Sequence, residues 1–336
     1  MKKWIIWAML LPLVLLGCSQ EGSAPDYAPE EGEKLTICTS HKQEVWQPLV
    51  KEFENRTGIW VEVIEGGTNE LLEQLESGTV SADVMFGGGV ESLECRASLF
   101  TPYTSPYDGE ILPQYQSQSH IWTPFSSLPV VLIYNSKLLS PQAVTGWEDL
   151  LQPALRGKIA FADPSVSGSG YTALVTLVQA LGDGTDETLQ AFARALAGNQ
   201  LAGSGDVLSS VASGEALVGI TIEETALRRM AAGDSLAMVY PREGTSCVPD
   251  GTAILQNAPH PENAQAFVDF TLSADVQTLL QEEFCRRSVR RDLAPAQALK
   301  PLESLAQLPY DVRQASDNRD KLLMSWQFYF GTEETP

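Results

Sequence analysis

Between Leu35 and Gly89 the apolar residues change period several times, and this alternation restricts the fold more than any other feature of the chain. Leu35-Thr36-Ile37-Cys38-Thr39 reads as a strand. Ser40 follows at a helix N-cap position, and Val45, Leu49 and Phe53 recur at helical spacing until Thr57-Gly58. Trp60–Ile64 is a second strand. Leu71, Leu72 and Leu75 line a second helix, and Asp83–Phe86 is a third strand running into Gly87-Gly88-Gly89. Strand–helix–strand–helix–strand at this spacing implies parallel pairing with right-handed crossovers, hence an α/β protein. The alternation resumes downstream, with strands expected at Pro129–Asn135, Lys158–Ala162, Leu217–Ile222, Ala237–Tyr240 and Ala253–Leu255.

A chain of 336 residues exceeds what one hydrophobic core usually serves, so two lobes are expected. Residues 35–128 and 251–300 form one lobe in this reading, and 129–250 and 301–332 the other. Ser126–Tyr134 and Gly244–Ala253 are the expected crossings between them. Ligands of such sheets bind beyond the carboxyl ends of the strands, so two facing lobes make a cleft that closes by hinge motion.

The first 34 residues stand apart from this pattern. Lys2 and Lys3 precede an apolar stretch from Trp4 to Leu16, shorter than the roughly 20 residues that span a bilayer. It reads as a signal peptide over residues 1–17. Leu15-Leu16-Gly17-Cys18 looks like a bacterial lipobox, which makes Cys18 the expected lipid attachment point. Residues 18–34, rich in Gly, Ser, Pro and acids, read as a tether. The folded part is therefore expected outside the cytoplasm, anchored to a bacterial membrane through lipid. That compartment permits disulfides. The remaining cysteines would pair as Cys38–Cys95 and Cys247–Cys285, each pair within one lobe, or stay reduced.

With 43 acidic and 22 basic residues the formal net charge is −21, which excludes a nucleic-acid partner on electrostatic grounds. The three histidines leave little scope for a His-rich metal site. No Gly-x-Ser-x-Gly elbow and no His-Glu-x-x-His occurs, so no enzyme class is favoured and no cofactor is expected. A secreted hydrolase stays open only through carboxylates paired in space.

The chemistry is expected in loops. Asp163 to Gly170 joins a buried strand to an apolar helix. Ser167 and Ser169 offer hydroxyls there, and Gly168 and Gly170 allow close backbone approach. The amides of Ser169, Gly170 and Tyr171 would face an anion at the helix N-terminus; a plain capping turn is the alternative. Gly88, within the glycine run, and Ser40 and His41, after the first strand, lie at the same sheet edge. Ser126 and Ser127 flank the first crossing. Glu223 and Glu224 follow a strand, and Glu243, Ser246 and Asp250 surround the second crossing.

These ordered segments resemble those of the family 1 extracellular solute-binding lipoproteins of ABC transporters. The resemblance is carried by Asp163–Leu181, Gly219–Glu224, Tyr240–Gly251 and His260–Leu272. Pro241-Arg242-Glu243-Gly244-Thr245-Ser246 with Pro249-Asp250-Gly251 is similar to the second crossing in the branch holding ferric-iron, phosphonate and sugar-phosphate binders. It implies a two-lobed type II periplasmic-binding fold, each lobe a mixed, mostly parallel sheet flanked by helices. It further implies a monomer that delivers a cleft ligand to an ABC permease with a cytoplasmic ATPase. Ferric binders of this group use a first-loop histidine, which His41 matches, a carboxylate and two neighbouring tyrosines. Those tyrosines should fall near Thr221–Thr225, where the chain reads Thr-Ile-Glu-Glu-Thr. A small organic phosphate or phosphonate is therefore the expected ligand, with Ser40, His41, Gly88, Ser126, Ser127, Ser167, Gly168, Ser169, Gly170, Glu223 and Glu243 as candidate contacts. A ferric binder of the same fold, or a sensor feeding a membrane histidine kinase, is the alternative.

Overall fold

The computed structural model describes residues 29–182 and 184–333; the expected signal peptide and Cys18 lie outside them. In chain order the elements are β1 (Lys34–Thr39), α1 (Gln43–Thr57), β2 (Trp60–Glu65), α2 (Thr68–Glu76), β3 (Val84–Gly89) and α3 (Val90–Cys95). The long β4 (Thr123–Asn135) precedes β5 (Ile159–Ala160), α4 (Gly168–Leu181), α5 (Thr185–Leu196), α6 (Ser204–Ser213), β6 (Val218–Ile222) and α7 (Glu223–Ala231). β7 (Leu236–Val239), β8 (Cys247–Ile254), α8 (Pro261–Leu272), α9 (Ala274–Phe284), α10 (Val312–Asp317) and α11 (Arg319–Glu333) complete the chain.

β1 lies between β2 and β3, parallel to both, as the N-terminal alternation requires. β3 is antiparallel to β8. β4 then serves both lobes. Its first half, Thr123–Pro129, pairs antiparallel with β8. Its second half, Val130–Asn135, pairs with β6 on one edge and β7 on the other. The apolar core divides accordingly. Ile37, Phe53, Phe86, Phe125 and Phe267 pack in the first lobe, and Trp147, Phe161, Leu174, Phe192 and Trp326 in the second. Gln277, at 0% exposure, donates from α9 to the Phe125 carbonyl and so joins the C-terminal helices to β4.

Three local expectations need correction. The strand expected from Pro129 begins six residues earlier, at Thr123, with a register shift between Pro124 and Ser126, because Pro124 and Pro129 still accept extended geometry. The second crossing is also largely strand. The strand expected from Ala253 begins at Cys247, so Pro249-Asp250-Gly251 lies inside β8, opposite Ser127, Ser126 and Pro124. Order also begins before residue 34: a 3-10 turn at Glu31–Glu33 is pinned by Asn263, which donates to the Gly32 and Lys34 carbonyls.

The expected disulfides are not formed; all four cysteines are free. Cys38 is fully buried in an apolar layer with Leu71, Met85 and Leu93, whereas Cys95 is exposed at the end of α3. Cys247 pairs with Pro129 on one edge of β4, and the segment from Cys285 to Arg287 bridges Ser127 on the other edge. A whole strand thus separates these two backbones, roughly 9–10 Å across. A disulfide tolerates about 7 Å between Cα atoms. Burial raises the Cys38 thiol to about 11 and the Cys247 thiol to about 12.

Two predictions follow from this packing. Alkylation of the native, unreduced protein should label Cys95 first, and denaturation should expose Cys38, Cys247 and Cys285 without reductant; mass spectrometry of the labelled peptides reads this out. Trp326 is 1% exposed, meets Phe161 edge-on, lies tilted against Phe192 and donates to the Gln200 side chain. Trp326→Ala should lower stability by about 3–5 kcal/mol in urea unfolding.

Candidate functional site

A cavity of about 530 Å³ opens between the lobes, lined from the first lobe by the loops after β1, β2 and β3 and from the second by the loops after β5 and β6. Right-handed βα units place helix N-termini at the carboxyl ends of their strands, so α1, α2, α4 and α7 begin at this cavity, and α6, which follows α5, begins there as well. Each such terminus carries about half a positive charge. In a protein of strongly negative net charge these helix starts set partial positive charge around the recess.

Gly87 and Gly88 adopt φ of +89° and +109°, which side-chain-bearing residues rarely reach. A Cβ on Gly87 would sit 2.6 Å from His41 Nε2, and one on Gly88 would sit 2.7 Å from Thr68. The glycine run is therefore both the turn and the floor of the cavity. Opposite it, Gly168 approaches Gly89 so closely that a Cβ would lie 3.2 Å from the Gly89 nitrogen. Asn69 in α2 donates to the Ser165 and Val166 carbonyls of the second lobe.

At the inner end lies Arg286, 4% exposed. Its Nη1 donates to Asp250 and to Ser126 Oγ, both at 2.7 Å. Nη2 lies 3.4 Å from His41 Nδ1 and 3.6 Å from Glu224. A guanidinium has only donors, so His41 Nδ1 accepts and the proton of the neutral ring rests on Nε2. Burial, and then the charge of Arg286, hold the His41 pKa well below the usual histidine value. Both His41 Nε2 and Arg286 Nε are buried without a hydrogen-bond partner. His41 Nε2 faces Gly87 and lies 3.5 Å from Asp250 Oδ2.

The cation at the mouth is Lys42. It has no ion-pair partner among the described residues, and its Nζ would stand 2.8 Å from a Cβ on Gly205 at the start of α6. An ammonium facing the positive end of a helix is unfavourable unless an anion sits between them. Glu70 and Asp206 are exposed at the rim, while Asp250 and Glu224 are engaged by Arg286 within.

Of the candidate residues, Ser40, His41, Gly88, Ser167, Gly168 and Ser169 line the cavity together. The others do not. Gly170 is buried, and its amide donates to Ser167 Oγ, so that cap removes it from the cradle; the Tyr171 amide likewise goes to the Ser167 carbonyl. The first-turn amides of Gly168 and Ser169 remain. Ser126 supports Asp250 and Arg286 from behind, and Ser127 donates to the Tyr115 hydroxyl. Glu223 is 1% exposed and forms a two-bond ion pair with Arg287, joined by Tyr240. Its neighbour Glu224 faces the cavity instead, because consecutive residues of α7 point in different directions. Glu243 lies elsewhere, accepting from the amides of Trp147 and Glu148 in a 3-10 turn. Sequence reasoning missed Lys42, Thr68, Asn69, Arg286 and the turn Gly203-Ser204-Gly205. That last run had a legible signal, small residues ahead of a helix, of the kind read at Ser167.

Fold and cavity together define a two-lobed binding protein that holds its ligand between the lobes. The chain belongs to the bacterial extracellular solute-binding proteins, a family that matches residues 35–286. It is 26% identical over 294 residues to iron uptake protein A1 of Synechocystis, covering 80% of this chain and 79% of that one. To a putative 2-aminoethylphosphonate-binding periplasmic protein of Salmonella typhimurium it is 24% identical over 296 residues, covering 84% and 86%. Among solved structures it is similar to the periplasmic binding protein AfuA of Actinobacillus pleuropneumoniae with fructose-6-phosphate bound. That match has a TM-score of 0.82 and 25% identity over 89% of this chain and 98% of the other.

The neutral His41 makes a pH prediction. Below the ordinary histidine value of about 6.5 the unfolded chain takes up a proton that folded His41 refuses. Stability should therefore fall as the pH drops from about 6.5 toward the lower folded value, by up to about 1.4 kcal/mol per pH unit from this residue. His41→Gln should flatten the slope, as measured by urea unfolding at pH 7 and pH 5.

Proposed function

We propose that this protein is the solute-binding component of an ABC importer and captures a small anionic solute, an organic phosphate or phosphonate, in the cleft. The single observation that carries this reading is Lys42, an ammonium with no ion-pair partner among the described residues, set against the start of α6 in the cavity that Gly168 and Ser169 of α4 also line. An anion between them satisfies the cation and both helix ends at once. The hydroxyls of Ser40, Ser167 and Ser169 line the same recess. An amine on the same solute would find Glu70 and Asp206 at the rim.

A directly coordinated ferric ion fits these residues poorly. No tyrosine or cysteine lines the cavity. Among the described residues no group of three or more His, Cys, Asp or Glu is placed to hold a metal. His41 Nδ1 is occupied by a guanidinium, whose charge opposes a cation beside it. In this reading the chain is a non-enzymatic monomer, tethered through a lipidated Cys18 and hinged where β4 and β8 cross. Residues 35–128 and 251–300 move against 129–250 and 301–332.

A thermal-shift screen of phosphate esters, phosphonates, carboxylates and Fe³⁺ tests the class. A ligand at 100 times its Kd should add about 2.7 kcal/mol of stability. Charge-assisted bonds contribute roughly 1.5–3 kcal/mol each. Lys42→Ala and Ser169→Ala should each weaken binding of the best phosphate or phosphonate about tenfold or more in calorimetry, with little change in stability. Visible colour on iron loading, lost in His41→Ala, would overturn the assignment in favour of iron.

A further inference from the structure

Glu91 does not line the cavity, yet it is 1% exposed at the seam where the lobes meet. It sits in α3 of the first lobe. Its Oε1 accepts from Thr172 Oγ1 of α4, in the second lobe, at 2.8 Å, and from the Tyr310 hydroxyl. The Thr172 hydroxyl lies 3.2 Å from the Gly168 carbonyl, in the first turn of the cradle, the alternative acceptor of its one hydrogen. Oε2 is buried with no partner at all and faces Gly89, where a Cβ would lie 2.9 Å away. The carboxyl is therefore enclosed by groups from both lobes and by the chain segment that runs from one to the other.

A bare, dehydrated oxygen is expensive on a carboxylate and much cheaper on a neutral carboxyl group. The groups around Glu91 divide. Arg319, at the start of α11, is 6% exposed with Nε and Nη2 unpartnered and lies over the Tyr171 ring, favouring the ionised form. The hydroxyls of Tyr310 and Thr172 also favour it. Tyr171 and Tyr310 are themselves held neutral by burial. Within α3, Glu94 is engaged by Trp122 and Ser119, and Cys95 is exposed. On α10, Arg313 and Asp317 are exposed, as are Asp320 and Lys321 on α11; Asp250 of β8 faces Arg286 instead. Burial outweighs these opposing contacts, and the Glu91 pKa is raised.

We propose that Glu91 is a proton-coupled latch between the lobes: closing the cleft seals its carboxyl against Thr172 and Tyr310 and takes up a proton, so acidification favours the closed form. Separating the lobes withdraws Thr172 and readmits water, which returns the proton. The latch rests on the solute-binding reading only in taking the cleft to open and close.

Small-angle scattering of the ligand-free full-length mature protein from pH 8 to pH 5 tests it. The radius of gyration should fall on acidification. Glu91→Gln, a neutral amide of the same shape, should stay compact throughout. Tyr310→Phe removes a donor that favours the carboxylate, and should move the transition to higher pH by about one unit or less. A radius that does not change with pH in the unaltered protein overturns the latch, as does a Glu91→Gln variant that keeps the transition. Calorimetry with methylphosphonate on Glu91→Gln separates the two readings, since binding that persists without the pH transition leaves solute capture standing.

Discussion

The structure depends on one buried cation. Arg286 collects Asp250 from β8, Ser126 from β4, His41 from the loop after β1 and Glu224 from α7. Those elements are the two crossing strands and one cavity wall from each lobe. Dehydrating a guanidinium costs several kcal/mol, and here Asp250, Ser126 and the nearby Glu224 offset it while Nε stays unpartnered. The partners must therefore arrive together, which ties the geometry of the crossings to that of the cavity. Removing one partner of such a buried pair typically costs 3–5 kcal/mol, because the remaining charge is stranded. Phe125, with Arg286 above its ring, extends the same cluster into the core of the first lobe.

The second organising constraint is directional. The βα connections after β1, β2, β5 and β6 start their helices at one sheet edge, so the partial positive charges of several helix starts meet in one recess. Side-chain carboxylates in that recess would cancel the effect if they were free. Asp250 and Glu224 are not free, since Arg286 holds both, and Glu70 and Asp206 stay at the solvated rim. An anion can therefore be held locally by a chain whose net charge repels it at long range.

The site was partly legible in the sequence. Ser40, His41, Gly88 and Ser167–Ser169 could be found because each follows a strand and precedes a helix, which is a local signature. Ser126, Ser127, Glu223 and Glu243 lie close in sequence to cavity residues but point elsewhere, and no local pattern reports where a side chain points. Gly170 shows a finer limit. Its residue type suits an anion cradle, but Ser167 caps its amide first. Arg286 was invisible for the opposite reason: it belongs to a loop after α9, far along the chain from everything it binds.

By itself the sequence determined the α/β alternation, the two-lobed plan and the family, because hydrophobic period and turn residues are properties of short segments. Its pattern also placed strand ends, and hence the sheet edge where a ligand belongs. Tertiary structure alone decided that Pro249-Asp250-Gly251 runs as strand, that the cysteines stay apart, and which carboxylates are spent on arginines. Those outcomes rest on contacts between residues distant in the chain. Burial and dehydration set their energies, and neither quantity exists until the chain has folded.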